Sequence, residues 1–152
     1  MSHLPSHSDE DGRTPAGTSI GVCSWSLQPI GPKLLVEQIR ACGLDAVQLA
    51  LNPLVNDPRD WADTFMHLED AGILVLSGMM ESIGEDYSTL ESIRRTGGLV
   101  PGETWPRSLE LMLRVRDLVA ESSIGLVSFH AGFIPHDPGD PQRSLVVERL
   151  RI

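Results

Sequence analysis

Lysine is nearly missing from the chain: Lys33 is the only one in 152 residues, and Lys+Arg total 12 against Asp+Glu 21. The formal net charge of −9 repels phosphate backbones, and the arginines are scattered, so a nucleic-acid partner is not expected. Cysteine is equally scarce. Cys23 and Cys42 have no metal-type spacing, and no Cys-x-x-Cys occurs, which leaves neither a disulfide framework nor a zinc module. Buried free thiols in a reducing, cytoplasmic setting are the expectation. Long apolar runs are absent too. Nothing approaches the ~18 residues needed to cross a bilayer, so no membrane partner is expected. The N-terminus has no apolar core of a secretory signal. Residues 1–18, rich in Ser, His, Asp, Gly and Pro, read as a disordered leader, with His3 and His7 as solvated tail histidines. No Gly-x-Gly-x-x-Gly follows the first strand and no phosphate loop occurs, which weakens a nucleotide-binding reading. No Gly-x-Ser-x-Gly stands at a strand-to-helix turn, so a Ser/His/Asp hydrolase is unsupported.

What is present is a rhythm. An apolar share of 41% suits one globular domain with a real core. Apolar strand-like runs at 20–26, 46–51, 73–79 and 124–130 alternate with helix-like segments. The first helix begins with Pro32 at its first position, carries Leu34, Leu35, Ile39 and Ala41 on one face, and ends at Gly43. The second is read with Asp57 as cap, Pro58 at its first position, Trp61, Phe65 and Leu68 inside, and Gly72 closing it. A long polar connection runs from Glu81 to Gly102, with a short helix over 88–95 stopped by Gly97-Gly98. Connections of ~4–6 residues are usual, so one this long points to function. Thr104 is read as the cap of a strong helix whose stripe is Leu109, Met112, Leu113, Val115, Leu118 and Val119. A Pro/Gly/Asp loop over 135–141 leads to a last helix from Arg143.

Alternating strands and helices predict an α/β fold with a parallel sheet. Strands this continuously apolar suit a sheet covered by helices on one face and packed inside on the other. The expected architecture is a (βα) TIM-barrel type, incomplete, with about four βα units. A closed barrel needs eight units and roughly 250 residues. Residues 19–152 are therefore read as the N-terminal half of such a barrel.

Barrel chemistry sits at the carboxyl ends of the strands and in the loops that follow. That rule nominates His130, Gln48, Trp25 and Glu81 as substrate-binding candidates, with Met79, Glu85, Asp86 and Tyr87 beside them. His130 ends an apolar run and precedes Ala131-Gly132, which leave room beside it. A neutral imidazole there can bond a hydroxyl, bind a metal or move a proton, or it can serve as a structural histidine. Gln48 is the polar residue in an apolar strand, and alternation turns it to the barrel interior as a substrate contact or a bonded core amide. Trp25 is a wall for the apolar face of a sugar or a plug at the barrel rim. Glu81, Glu85 and Asp86 form an acidic loop, which offers carboxylates but is ordinarily just solvated. His136 is read as solvated, His67 as without a role, and Trp61 and Trp105 as packing residues.

Taken in order, Ile20-Gly-Val-Cys-Ser-Trp-Ser26, Gly43-Leu-Asp-Ala-Val-Gln-Leu49, Leu76-Ser-Gly-Met-Met80 and Val127-Ser-Phe-His-Ala-Gly132 resemble the sugar phosphate isomerase/epimerase family. Gly84-Glu-Asp-Tyr-Ser-Thr-Leu90 through Thr96-Gly-Gly98 looks like a subgroup signature within it. That family has the xylose-isomerase-like barrel also found in AP endonucleases of the endonuclease IV type. The resemblance implies an enzyme that shifts a proton next to a carbonyl in a sugar or polyol, with a divalent metal (Mn, Mg, Co or Zn) in a full-length relative. The family's two glutamates, aspartate and histidine ligands come from later strands, so no metal residues and no bound cofactor are expected in this chain. Only the histidine ending the fourth strand carries over, onto His130, near substrate. Gln48 falls where relatives carry Glu or Gln. The second and third strands end in Leu51 and Met79-Met80 where the endonuclease branch would need histidines.

The expectation is a truncated member of that family, cytoplasmic in its parent form and inactive alone. A half-barrel binding or assembly module, including a homo-oligomer, is the alternative, and an AP endonuclease-type fragment the third.

Overall fold

Leu35, Ile39, Val47, Leu49 and Leu51 are sealed almost completely from solvent, and they show which surfaces meet. The first two lie on a helix and the other three on and just beyond a strand. Each such side chain contributes about 1.5–3 kcal/mol by leaving water. The structure, a computed structural model, describes residues 19–152. The expected leader at 1–18 lies outside the described residues.

The elements run β1 (Val22–Cys23), α1 (Ser24–Leu27), α2 (Pro32–Ala41), β2 (Ala46–Ala50), α3 (Asn52–Asn56), α4 (Thr64–Asp70), β3 (Leu74–Met80), α5 (Leu90–Thr96), α6 (Trp105–Ala120), β4 (Val127–Phe129) and α7 (Pro141–Arg149). The four strands form one sheet in the order β1-β2-β3-β4, with every neighbouring pair parallel. Sequential order in a parallel sheet demands a crossover after each strand, and the helices supply it. The α/β expectation stands: four parallel strands with helices over one face.

Val47, Leu49 and Leu51 face those helices and join Leu68, Met80, Leu111, Val115 and Ile124 in one core. The opposite face carries Gln48, Ser77 and Ser128, and towards the amino ends of the strands it exposes Leu74, Leu76 and Leu126. Between β2 and β3 the register shifts: Val47 pairs with Val75 but Gln48 pairs with Ser77, leaving Leu76 as an extra residue in β3.

Several boundaries differ from the sequence reading. The first strand, expected over 20–26, is only Val22–Cys23. Ser24 turns out of the sheet because its Oγ accepts the Ala50 N–H at 2.8 Å, and Gln28 closes the helical turn in a left-handed conformation at φ 49°. The helix expected to begin at Asp57 begins only at Thr64, as α4; a separate short helix, α3, starts with Asn52-Pro53 and irregular turns separate the two. There the Asp57 carbonyl accepts from the Asp60 and Trp61 N–H groups, so the main chain closes the turn with no side-chain cap. The fourth strand shrinks from 124–130 to Val127–Phe129, so His130 lies just past it. On α6 the fully buried positions are Ser108 and Leu111, while Leu113 is exposed. Thr104 stands at that helix's start without making a side-chain cap bond. The last helix begins two residues early, where Asp140 accepts the Gln142 N–H at 2.7 Å and Pro141 follows it. Both cysteines are free, but Cys42 is exposed and Cys23 half-buried, against the expectation of buried thiols.

Candidate functional site

β3 leaves the sheet at Met80, and the chain then folds back over the end of β4. Asn52 and the Glu81 backbone clasp each other across the two strand ends. The Ile83 N–H bonds Ser108 Oγ at 3.1 Å, tying the outgoing chain to α6. Gly84 then turns with φ +84°, and Glu85 enters the protein.

The Glu85 side chain is only 1% exposed. A carboxyl group so buried needs partners. Its Oε1 accepts the Gly98 N–H at 2.7 Å and its Oε2 accepts the Tyr87 hydroxyl at 2.9 Å. Oε1 also stands 3.8 Å from His130 Nδ1. That nitrogen is buried and has no hydrogen-bond partner among the described residues, although the imidazole as a whole is 32% exposed. Phe133 meets the imidazole edge-on, with ring centroids 5.7 Å apart, and Tyr87 lies at 6.4 Å.

Two glycines make this approach feasible. A Cβ on Gly97 would lie 2.7 and 2.8 Å from His130 Cε1 and Nδ1, and one on Gly98 would meet the backbone at Ala131-Gly132 at 2.3 Å. The Leu99 N–H then bonds the Ala131 carbonyl at 3.0 Å. Arg149 of α7 donates to the carbonyls of Leu99, Val100 and Pro101 while covering the Trp105 ring, which clamps the returning segment.

Burial, and then the nearby Glu85, hold the Glu81 carboxyl above its ordinary value. Tyr87 is exposed over most of its surface, but its hydroxyl points at the buried Glu85. Desolvation first, then the Glu85 hydrogen bond, push the phenol up to about 12. Asp86 is different: it is fully exposed, lowered by its hydrogen bonds to Ser88, and fits the solvated-loop expectation. Glu85 does not fit it. The nearby Gly97-Gly98 pair was the sequence signal that this loop packs tightly, and it was read only as a helix stop.

The other candidates lie apart from this cluster. Gln48 Nε2 donates to Ser77 Oγ at 3.2 Å and to Ser128 Oγ at 3.3 Å, tying β2 to β3 and β4 across the open face. Trp25 stands beyond β1, with two strands between it and β4 in the sheet order. It lines a cleft of about 290 Å³ with Ser24, Gln28, Ala50, Pro53 and Trp61, and its Nε1 is buried without a partner among the described residues. Among the described residues, no group of three or more His, Cys, Asp or Glu side chains is placed to hold a metal ion. Both Glu85 oxygens are already engaged. The donor set among the described residues does not fit a divalent ion.

No family model matches the chain, and no curated protein matches it. A solved structure does: the crystal structure of a xylose isomerase domain protein from Planctomyces limnophilus, with a TM-score of 0.63 and 21% identity. The match covers 86% of this chain and 45% of that one, so the chain spans less than half the length of that protein. The likeness fixes the fold as xylose-isomerase-like, with the four parallel strands forming part of such a barrel. No helix among the described residues is long and apolar enough to cross a membrane.

Proposed function

We propose that this chain carries the substrate-holding rim of a sugar isomerase or epimerase site, acting on a small sugar or polyol at the carboxyl ends of β3 and β4. The observation that carries this reading is His130: a partly open imidazole at a strand end, backed by the buried Glu85. Neutral imidazole bonds a sugar hydroxyl and takes or returns a proton near neutral pH. In the reaction, a base removes the proton next to the substrate carbonyl. The C–H electron pair forms the enediolate, and the proton returns to the neighbouring carbon or to the opposite face. Glu81, whose carboxyl burial and Glu85 hold above its ordinary value, is our candidate for the acid that shares that traffic. Catalysis needs the further strands that close the barrel.

The test is ligand-observed NMR on the 152-residue chain with a panel of ketoses, aldoses and polyols. Binding that weakens at least tenfold in His130→Ala supports the reading. Failure of every ligand to bind sinks it. Deuterium wash-in next to the carbonyl by this chain alone would overturn the claim that further strands are required.

A second reading is favoured by one observation: Leu74, Leu76 and Leu126 are exposed together on the open face. A contiguous apolar patch marks an association surface. The occupant is a second copy of this chain, because two four-stranded sheets supply the eight strands a barrel needs.

A further inference from the structure

We infer that Glu85 is a positioning residue for His130: it holds the imidazole proton on Nδ1 and so presents Nε2 as the free acceptor nitrogen. This deepens the proposed function and rests on it for its use. The geometry itself stands on four facts. Glu85 is 1% exposed, its Oε1 faces His130 Nδ1 at 3.8 Å, Nδ1 is buried, and among the described residues no other group bonds it.

Tautomer choice follows from elementary electrostatics. A neutral imidazole has one N–H and one lone pair, and the environment of each nitrogen decides which carries the proton. Were Nδ1 unprotonated, its lone pair would face a carboxylate oxygen in a site shielded from water, where like partial charges repel strongly. With the proton on Nδ1, a positive N–H faces that oxygen instead. The carboxylate cannot turn away, because the Gly98 N–H and the Tyr87 hydroxyl each hold one of its oxygens. The imidazole cannot retreat either, since Gly97 lies directly against Cε1 and Nδ1 and Phe133 stands across its edge. The same logic orients histidines in known catalytic pairs: a fixed acceptor behind one nitrogen defines the chemistry of the other. The long connection after β3 thereby gains a purpose, since the whole 81–98 excursion delivers one carboxylate to the back of one imidazole.

The measurement is long-range 1H–15N NMR on the full chain with 15N-labelled histidine, at pH 8.5. The chain has five histidines, and His130 is assigned by its loss in His130→Gln. The expected wild-type pattern is protonated Nδ1 and unprotonated Nε2. In Glu85→Gln the preference is lost, because the amide no longer imposes an anionic acceptor. In Tyr87→Phe it persists, because Oε1 remains pinned by Gly98. A wild-type His130 protonated on Nε2 overturns the inference outright, even if Glu85→Gln fails to fold. A shift of equal size in both variants overturns it too, since that would report general loosening of the loop. If Nδ1 carries the proton but no sugar binds, the proposed function falls and the Glu85–His130 relationship stands.

Discussion

Asn52 and Glu81 join the ends of β2 and β3 through a reciprocal pair of hydrogen bonds. Asn52 Nδ2 donates to the Glu81 carbonyl and the Glu81 N–H donates to Asn52 Oδ1, each at 2.9 Å. The side-chain amide thus continues the sheet one step past its last backbone rung. It also fixes the direction in which the 81–104 connection sets out, and with it the position of the candidate site.

Replacing Asn52 by Ala removes both bonds and leaves two half-buried backbone groups to find water. The expected cost is about 1–2 kcal/mol, read as a lowered urea midpoint with an unchanged slope. An unchanged midpoint would show that the clasp contributes nothing to stability.

Tyr87 is the only tyrosine, so its ionisation can be followed directly by ultraviolet absorbance. The expected midpoint is about 12. At pH 11 roughly a tenth of the folded chain should carry tyrosinate, against most of it in denaturant, where the phenol titrates near 10. Because the folded pKa is raised, the folded state binds more protons between those values, and stability falls as pH rises through that window. In Glu85→Gln the midpoint should move down. A folded-state midpoint at 10 would contradict the hydrogen bond to Glu85.

Glu81 has the same sign in a different window. Its folded carboxyl is raised, so stability is greatest where it is protonated and declines as pH climbs through the folded value. Glu81→Gln removes that decline. Urea midpoints between pH 4 and 8 should fall less steeply in the variant, and parallel curves would argue against the raised carboxyl.

Gly98→Ala places a Cβ within 2.3 Å of the Ala131-Gly132 backbone at a residue with φ +67°. Neither the left-handed backbone nor the contact suits alanine, and a loss of about 2 kcal/mol or more is expected. Gly43→Ala provides the control: its φ is +71° but nothing lies near its Cβ, so only the backbone strain should appear.

Light scattering tests the open face. The chain has a mass of 16.6 kDa, and pairing through Leu74 and Leu126 should give about twice that value at high concentration. The double substitution Leu74→Ser with Leu126→Ser should return it to the monomer. A wild-type monomer at every concentration removes the assembly reading.

The βα rhythm was legible because buried parallel strands are apolar throughout and glycines such as Gly43 and Gly72 stop helices in left-handed turns. His130 was legible for the same reason: strand-end placement is a sequence property. Glu85 was not. Its burial depends on a helix that ends in two glycines, an imidazole some forty-five residues further on and a phenol two residues away. Charge patterning alone makes Glu85 and Asp86 look alike, and only tertiary packing separates them. The Asp57 cap failed because Pro53 had already started a helix, and two competing start signals in one segment cannot be ranked without the packing around them. Trp25 was placed at a strand end that the Ser24–Ala50 bond had already dissolved into a helical turn.

Leu76 has no partner on β2, and that unpaired residue acts as a half-step of phase in β3. Before it, Val75 faces the helices. After it, Ser77 shares the open face with Gln48 while Gly78 lies against Leu51. Two positions beyond Met79, the same parity assigns Glu81 to the open face rather than to the helices. A strand of strict alternation would have pointed Ser77 and Glu81 into the apolar core and left the far end of Gln48 with nothing on β3 to hold. The polar chemistry of this sheet therefore depends on an odd count of residues, and shortening β3 by one would exchange its two faces.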